Sequence, residues 1–202
     1  MKTRVKICGI TRARDAIDAA ALGVHAVGLV FVDRSPRAVS VEQAVEIRRA
    51  LPPLVGVVGL FMDAPAERVE SVSRAVGLNW LQFHGGESPE YCRAFGRPYI
   101  KALPMASPAM VDYSPWSDAA ALLLDAHAPG AMGGSGESFD WAAIKAPEQS
   151  WMLAGGLDPD NVGRAIRMLN PPAVDVSSGV ESAPGIKDYN LMKRFMEGIR
   201  HD

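Results

Sequence analysis

Cysteine and long apolar runs are scarce in this sequence of 202 residues, and each scarcity excludes a class of protein. Two cysteines, Cys8 and Cys92, are too few for a disulfide-stapled secreted scaffold. Residues 1–10 lack the apolar core and the cleavage site of a signal peptide. The longest apolar run, residues 54–62, is far shorter than the roughly 20 residues that a membrane helix needs. We therefore expect a cytoplasmic protein with reduced thiols and no membrane partner.

Excess charge and metal-binding clusters are also missing from the sequence. The formal net charge is -2, which predicts no basic surface for nucleic acid. The four histidines, His25, His84, His127 and His201, do not have zinc-site spacing. No P-loop, dinucleotide-binding or pyridoxal-phosphate motif is present. These missing motifs give no sign of a metal or cofactor site. With 48% hydrophobic and 22% charged residues, the composition predicts one globular domain over residues 1–202.

The sequence does contain a repeated alternation of short apolar strands and helical segments. The predicted strands cover residues 4–8, 26–31, 54–61, 80–83, 99–102, 120–124, 151–154 and 173–176. The clearest helical segments cover residues 15–22, 41–51, 65–76, 89–94, 161–169 and 188–200, with Pro65 in the first helical position. Alternation implies parallel strands with right-handed crossovers, and eight units imply a closed (β/α)8 TIM barrel. Its length is near the minimum for this fold, with units five and six trimmed.

An open, doubly wound sheet is the alternative fold. It predicts a G-x-G-x-x-G turn after the first strand, and residues 8–11 do not fit that pattern. In a barrel the active site lies at the carboxyl ends of the strands, which directs attention to the residues found there. These are Cys8, residues 35–37, Asp63, His84, Lys101, Asp125, residues 155–156 and residues 177–179.

The last two strand-end loops are rich in glycine and serine, and they predict a phosphate site. The loops contain Gly155 and Gly156 after the seventh strand, and Ser177, Ser178 and Gly179 after the eighth. Many barrels bind phosphate at these two loops, where glycine lets backbone N–H groups approach an anion. We expect a short helix after the last of these glycines to add its N-terminal N–H groups. The alternative is that the glycines only form tight turns.

A thiol and a carboxyl group end two strands that are well separated around the barrel mouth. Cys8 ends the first strand and Asp125 ends the sixth. A substrate bound between them could receive a proton from one group and lose a proton to the other. Lys6 shares the inward face with Cys8, so it needs a buried partner, and Asp175 on the neighbouring eighth strand is the candidate. We expect the ammonium group to favour the Cys8 thiolate. The alternatives are packing for Cys8 and turn capping for Asp125.

Four further features of the sequence indicate a function less specifically. Arg37 is placed to bind a substrate carboxylate with two parallel hydrogen bonds, or to be a solvated surface arginine. His84 is either a catalytic imidazole or a structural hydrogen-bonding group. The glycine-rich residues 133–136 form either a mobile cover over the site or a flexible linker. Cys92 lies inside a predicted helix, where it is expected to pack.

Over essentially its whole length the sequence resembles the phosphoribosylanthranilate isomerase family. The resemblance rests on residues 6–11, Phe31 with residues 35–37, residues 82–85, residues 124–125 followed by 133–136 and 139–141, and residues 154–157, 175–181 and 184–188. Ser135 and Ser138 depart from the threonines expected there. The resemblance implies an Amadori rearrangement of a small phosphosugar substrate in tryptophan biosynthesis, with Cys8 as general base and Asp125 as general acid. It also implies that Arg37 holds the anthranilate carboxylate and that the last two loops hold the phosphate, without a cofactor.

Other functions would need other residues. A related isomerase of histidine biosynthesis uses two aspartates, and Cys8 at the first strand argues against that activity. An epimerase on the same barrel would need metal ligands, and a non-catalytic phosphate-binding protein would not need both Cys8 and Asp125. The sequence leaves open whether the protein is a monomer or a homodimer.

Overall fold

Eight parallel strands close into a barrel in the computed structural model, each paired with its sequence neighbours and β1 paired with β8. The structure describes residues 2–105, 111–126 and 141–200. The strands are β1 (Arg4–Cys8), β2 (Ala26–Val30), β3 (Gly56–Phe61), β4 (Trp80–Phe83), β5 (Tyr99–Pro104), β6 (Ala121–Asp125), β7 (Trp151–Ala154) and β8 (Ala173–Val176). The predicted TIM barrel is therefore confirmed, and the eight predicted strands match the observed ones to within about two residues.

Helices cover the outside of the barrel. They are α1 (Ala13–Ala21), α2 (Val41–Ala50), α3 (Ala66–Val76), α4 (Pro89–Arg93), α5 (Val162–Leu169) and α6 (Tyr189–Arg200). Local signals set their ends: Ser40 and Gln43 form a capping box at α2, and Gly77 ends α3 with φ +70°. Pro65 is the N-cap of α3 and not its first helical residue, so that prediction is wrong by one position. No helix in the described residues is long and apolar enough to cross a bilayer.

The fifth and sixth units are trimmed in the part of the chain that the structure describes. Between β5 and β6 lies a 3-10 helix, Ser114–Trp116, and between β6 and β7 another, Trp141–Ala143. The glycine-rich residues 133–136 lie outside the described residues. After β8 a 3-10 helix, Ser178–Val180, leads into an antiparallel hairpin of β9 (Glu181–Ala183) and β10 (Ile186–Lys187). The expected short helix after Gly179 is therefore wrong: the helix contains this glycine, and a strand follows it.

Two apolar layers follow from the alternation of side chains along each strand. Outward residues such as Val27 and Leu81 join the large core beneath the helices. Inward residues form a smaller cluster inside the barrel, which consists of Val58, Ile100, Ala102, Ala121, Leu123 and Ala154. Around the carboxyl ends of β1, β4 and β8 the inward positions are instead buried and polar, with Lys6, Gln82 and Asp175. The fold therefore places polar groups where a barrel active site is expected.

Candidate active site

The first strand brings a lysine and a cysteine to the interior of the barrel mouth. Lys6 Nζ lies 2.8 Å from Asp175 Oδ1, and both side chains are less than 10% exposed. The register explains the pair, because Lys6 and Asp175 face each other on adjacent strands. Across from Cys8, β2 carries Gly28, where an added Cβ would lie 2.7 Å from the Cys8 sulfur. The absence of a side chain at this position makes room for the thiol.

Burial and the neighbouring lysines act in opposite directions on the pKa of Cys8. Burial raises the pKa of the Cys8 thiol above its ordinary value, and the opposing effects of Lys6 and Lys187 are smaller. Lys6 therefore favours the thiolate, as predicted, but it does not make the thiolate the stable form at neutral pH. The pKa of Lys6 itself is raised: burial works against the ammonium group, and the Asp175 carboxylate 2.8 Å away is the main group that opposes burial. The lysine thus stays charged beside the thiol.

On the other side of the mouth, an imidazole connects two polar side chains. His84 Nε2 lies 3.1 Å from Asp125 Oδ2, and Gln82 Nε2 lies 3.1 Å from His84 Nδ1. With the Gln82 amide donating to Nδ1, the Nε2 atom is the ring donor to the Asp125 carboxylate. The half-buried Asp125 is thus oriented by a ring that a buried glutamine holds in place.

Asp175 connects the two halves of the mouth. Its carboxylate binds Lys6, and it interacts electrostatically with Cys8 as well as with Asp125 and His84. The thiol of β1 and the carboxyl group of β6 therefore share a charged neighbour. The structure thus places three groups suggested to support the site beside Cys8 and Asp125, namely Lys6, His84 and Asp175.

The two loops after β7 and β8 pack against each other through Gly179. A Cβ at this residue would collide with the carbonyl oxygen of Leu157, so only glycine fits. Gly155 and Gly156 have φ of +87° and +67°, in the region that favours glycine. Gly156 and Ser178 are exposed at the mouth. The loops are thus close enough to form one cradle of backbone N–H groups for an anion.

Arg37 reaches the mouth and is already paired there. Its Nε and Nη2 atoms donate to the two carboxylate oxygens of Glu181 at 2.8 and 2.7 Å. The arginine stem passes over Gly9, where an added Cβ would lie 2.5 Å from Arg37 Cδ. Arg37 is about one quarter exposed, so it is not a freely solvated surface arginine.

Two strand-end candidates do not belong to this site. Lys101 lies within β5, and its side chain points away from the barrel interior to Glu87 Oε2 at 2.7 Å and to the Trp116 ring. Asp63 accepts a hydrogen bond from the Gly86 N–H at 2.7 Å, which is a structural role. No group of three potential metal ligands occurs among the residues that the structure describes.

Comparison with known proteins agrees with this geometry. The model of a family described as N-(5'phosphoribosyl)anthranilate (PRA) isomerase matches residues 5–198. A relative from Nitrosococcus oceani, named N-(5'-phosphoribosyl)anthranilate isomerase, is 50% identical and aligns over 98% of each chain. The chain belongs to this family.

Solved structures of phosphoribosylanthranilate isomerases superpose closely on the barrel. The Thermus thermophilus enzyme has a TM-score of 0.88 at 39% identity, covering 98% of this chain and 99% of its own. Another isomerase was solved in complex with reduced 1-(o-carboxyphenylamino)-1-deoxyribulose 5-phosphate. It has a TM-score of 0.79 at 36% identity and covers 99% of this chain and all of its own.

Four residues of this isomerase-family site were missed by sequence reasoning. Gln82, Glu181 and Lys187 appeared only within family-like motifs, and the contact of Gly28 gave no local signal. Gln82 contacts His84, two residues further along the chain. The other three act through neighbours on other elements, as in the contact between Gly28 and Cys8. Only the strand register and the hairpin after β8 place these groups together.

Proposed function

We propose that the barrel mouth converts N-(5'-phosphoribosyl)anthranilate to 1-(2-carboxyphenylamino)-1-deoxyribulose 5-phosphate, with Cys8 as general base and Asp125 as general acid. The conversion is the Amadori rearrangement of tryptophan biosynthesis. One observation carries the assignment: the two groups end strands that are well separated around one polar mouth, and Asp175, which is paired with Lys6 at 2.8 Å, interacts electrostatically with both. A thiol and a carboxyl group so placed can act on two faces of a substrate lying between them.

The acid step opens the ribose ring. The Asp125 carboxyl group gives its proton to the ring oxygen, the bond from that oxygen to C1' breaks, and the nitrogen lone pair forms a C1'=N iminium. The His84 Nε2–H donor, 3.1 Å away, orients the carboxyl group for this transfer. His84 is therefore assigned a supporting role rather than that of the acid.

The base step uses the acidity that the iminium gives to C2'. Cys8 as thiolate takes the C2' proton, the electrons of that C–H bond form the C1'=C2' bond, and the π electrons of the C1'=N bond return to nitrogen, which gives an enolamine. The enolamine then loses its enol proton and gains a proton at C1', which yields the ketone. Lys6, held by Asp175 at 2.8 Å, stabilises the thiolate during this step. A general acid and a general base each contribute about 10²–10⁴-fold.

Two anion sites hold the ends of the substrate. Arg37 binds the anthranilate carboxylate, and backbone groups of Gly155, Gly156 and residues 177–179 bind the phosphate. The close packing of the two loops at Gly179 supports a single phosphate cradle. We further propose that the protein acts in the cytoplasm as a monomer or homodimer, without a nucleic-acid partner.

Loss of substrate fluorescence measures the reaction directly. Freshly prepared N-(5'-phosphoribosyl)anthranilate is mixed with the wild type and with Asp125→Asn, and turnover is followed by fluorescence. Because the amide cannot give a proton as the carboxyl group does, we expect kcat to fall by about 10²–10⁴-fold in the variant.

A folded wild type without turnover would contradict the proposed reaction. Turnover that survives in Asp125→Asn would keep the reaction but move the acid to another group, with Asp175 as the next candidate. Asp160→Asn is the matched control, since it removes an exposed carboxylate that binds Arg194 at the surface, and it is expected to keep full activity.

A further inference from the structure

One buried carboxylate beside the mouth is shared by two cations. Glu181 Oε1 accepts from Arg37 Nε at 2.8 Å and from Lys187 Nζ at 2.7 Å, while its Oε2 accepts from Arg37 Nη2 at 2.7 Å. The side chains of Glu181 and Lys187 are 5% and 0% exposed. Burying charged groups this completely is costly unless they are paired. The reaction steps above do not use either residue.

Lys187 connects this carboxylate to the phosphate loop. Besides Glu181, its Nζ lies 3.1 Å from the carbonyl oxygen and 3.4 Å from the hydroxyl oxygen of Ser177. Its backbone N–H donates to the buried Asp15 at 3.1 Å, which fixes β10 against α1. A continuous chain of polar contacts therefore runs from Arg37 through Glu181 and Lys187 to the loop after β8.

The pairing leaves one edge of the Arg37 guanidinium group for a ligand. A guanidinium group has five N–H donors, and Glu181 takes one from Nε and one from Nη2. The remaining donors include a parallel pair on Nη1 and Nη2 at the end of the side chain. That pair can bind a second carboxylate with two hydrogen bonds while Glu181 holds the first edge.

The charges of Arg37, Glu181 and Lys187 also suit the binding of an anion. Burial acts to raise the pKa of Glu181, but Arg37 and Lys187 outweigh it and hold this pKa below its ordinary value. Burial lowers the pKa of Lys187 against the opposing effect of Glu181. With Arg37 and Lys187 as cations and Glu181 as an anion, the three side chains carry a net charge of about one positive unit. Such a cluster attracts anions without leaving a buried charge unpaired.

We propose that Glu181 and Lys187 are positioning residues that fix the two anion-binding ends of the site relative to each other. Glu181 aims the free edge of Arg37 at the substrate carboxylate, and Lys187 holds Ser177 and its loop for the phosphate. A substrate with an anion at each end is thereby placed with C2' at Cys8. The inference rests on the proposed function, since it uses the two binding ends assigned there.

Two fragment inhibitors test the two anion-binding ends of the site separately. Benzoate probes the carboxylate end and inorganic phosphate probes the loop, each as a competitive inhibitor in the fluorescence assay. Glu181→Gln is expected to raise the inhibition constant for benzoate and the KM for substrate on the order of tenfold, because a charge-assisted pair is lost. Lys187→Met is expected to raise the inhibition constant for phosphate by a similar factor and to leave that for benzoate within about twofold.

The split between KM and kcat separates positioning from a merely structural role. Because neither residue contacts the reacting atoms, kcat is expected to stay within about threefold of the wild type in both variants. Glu181→Gln leaves the Lys187 ammonium group buried without its carboxylate, so its folding is checked by circular dichroism. The double variant Glu181→Gln/Lys187→Met has no such unpaired charge and is expected to show both losses.

Unchanged inhibition constants in folded variants would overturn the inference, and so would a fall in kcat with KM unchanged. Either result would leave the proposed function intact as long as the wild type turns over and Asp125→Asn does not. Asp160→Asn again serves as the control for removing a carboxylate from an ion pair elsewhere, and it is expected to leave all constants unchanged.

Discussion

The protein contains two buried sets of a lysine, a carboxylate and a cysteine, with different surroundings. In the inner set, Lys6 lies 2.8 Å from Asp175 inside the barrel, next to Cys8. In the outer set, Lys101 lies 2.7 Å from Glu87 on the outer side of the barrel wall. The charge of Lys101 acts to lower the pKa of the nearby Cys92. The residue types and the ion-pair distances are almost the same. Their chemistry differs because one set faces the mouth and the other faces the helices.

The outer set holds loops together. Glu87 accepts hydrogen bonds from the backbone N–H groups of Asp63 and Gly85 at 2.8 and 2.9 Å, and Lys101 also binds the Gly85 carbonyl oxygen. Burial raises the pKa of Cys92 to about 12, with Lys101 opposing it, so this thiol stays protonated. Position relative to the barrel wall, rather than composition, therefore separates the cluster that holds loops together from the cluster to which we assign the reaction.

Breaking the outer Lys101–Glu87 pair is expected to change the free energy of unfolding more than breaking an exposed ion pair does. Lys101→Met leaves Glu87 as a buried carboxylate without its cation, so we expect the free energy of unfolding to fall by about 3–5 kcal/mol. Urea unfolding followed by circular dichroism measures the change. Under conditions in which the variant is folded, kcat/KM is expected to match the wild type, because the pair lies outside the mouth.

The control for this comparison is an exposed pair. Lys193→Met removes a partner of Glu197 at 3.9 Å on α6, where both side chains are about half exposed, and we expect a cost below about 1 kcal/mol. A large loss of kcat/KM in folded Lys101→Met would mean that the outer set also serves the reaction.

Removing the charge of Lys6 next to Cys8 is expected to have a smaller effect, a shift in the pKa of the thiol. The pKa of Cys8 lies above its ordinary value, so the thiolate forms only as the pH rises through that raised value. Lys6→Met removes a charge that favours the thiolate, and we expect the midpoint to move to still higher pH by about one unit. Thiolate absorbance, taken as the difference between each protein and its Cys8→Ser counterpart, measures the midpoint. A midpoint that moves to lower pH, or does not move, would contradict the role of Lys6.

Sequence periodicity predicted most of the fold and about half of the site. The Lys6–Asp175 pair follows from strand alternation and from the closure of β1 on β8, and the structure confirms it. Lys101 was misplaced because β5 continues to Pro104, which puts this lysine in mid-strand on the outward face. The net pKa shift of Cys8 depends on how completely the fold buries the thiol, which sequence spacing does not give.

The hairpin after β8 shows why the remaining residues could not be predicted. β9 and β10 have three residues and two residues, too few for a periodic pattern. Their side chains reach elements far away in sequence, as in the contact between Glu181 and Arg37. A motif that includes Lys187 was visible in the sequence, but the partners of this lysine are set only by the folded chain.

Turnover by Cys8→Ser and Cys92→Ser, measured side by side, tests the central claim most directly. A serine hydroxyl keeps the size of the thiol but is a far weaker acid, so it does not form the anion that the base step needs. We expect kcat to fall by about 10²–10⁴-fold in Cys8→Ser and to stay within about twofold in Cys92→Ser. Equal activities in the two folded variants, or a larger loss in Cys92→Ser, would contradict the account.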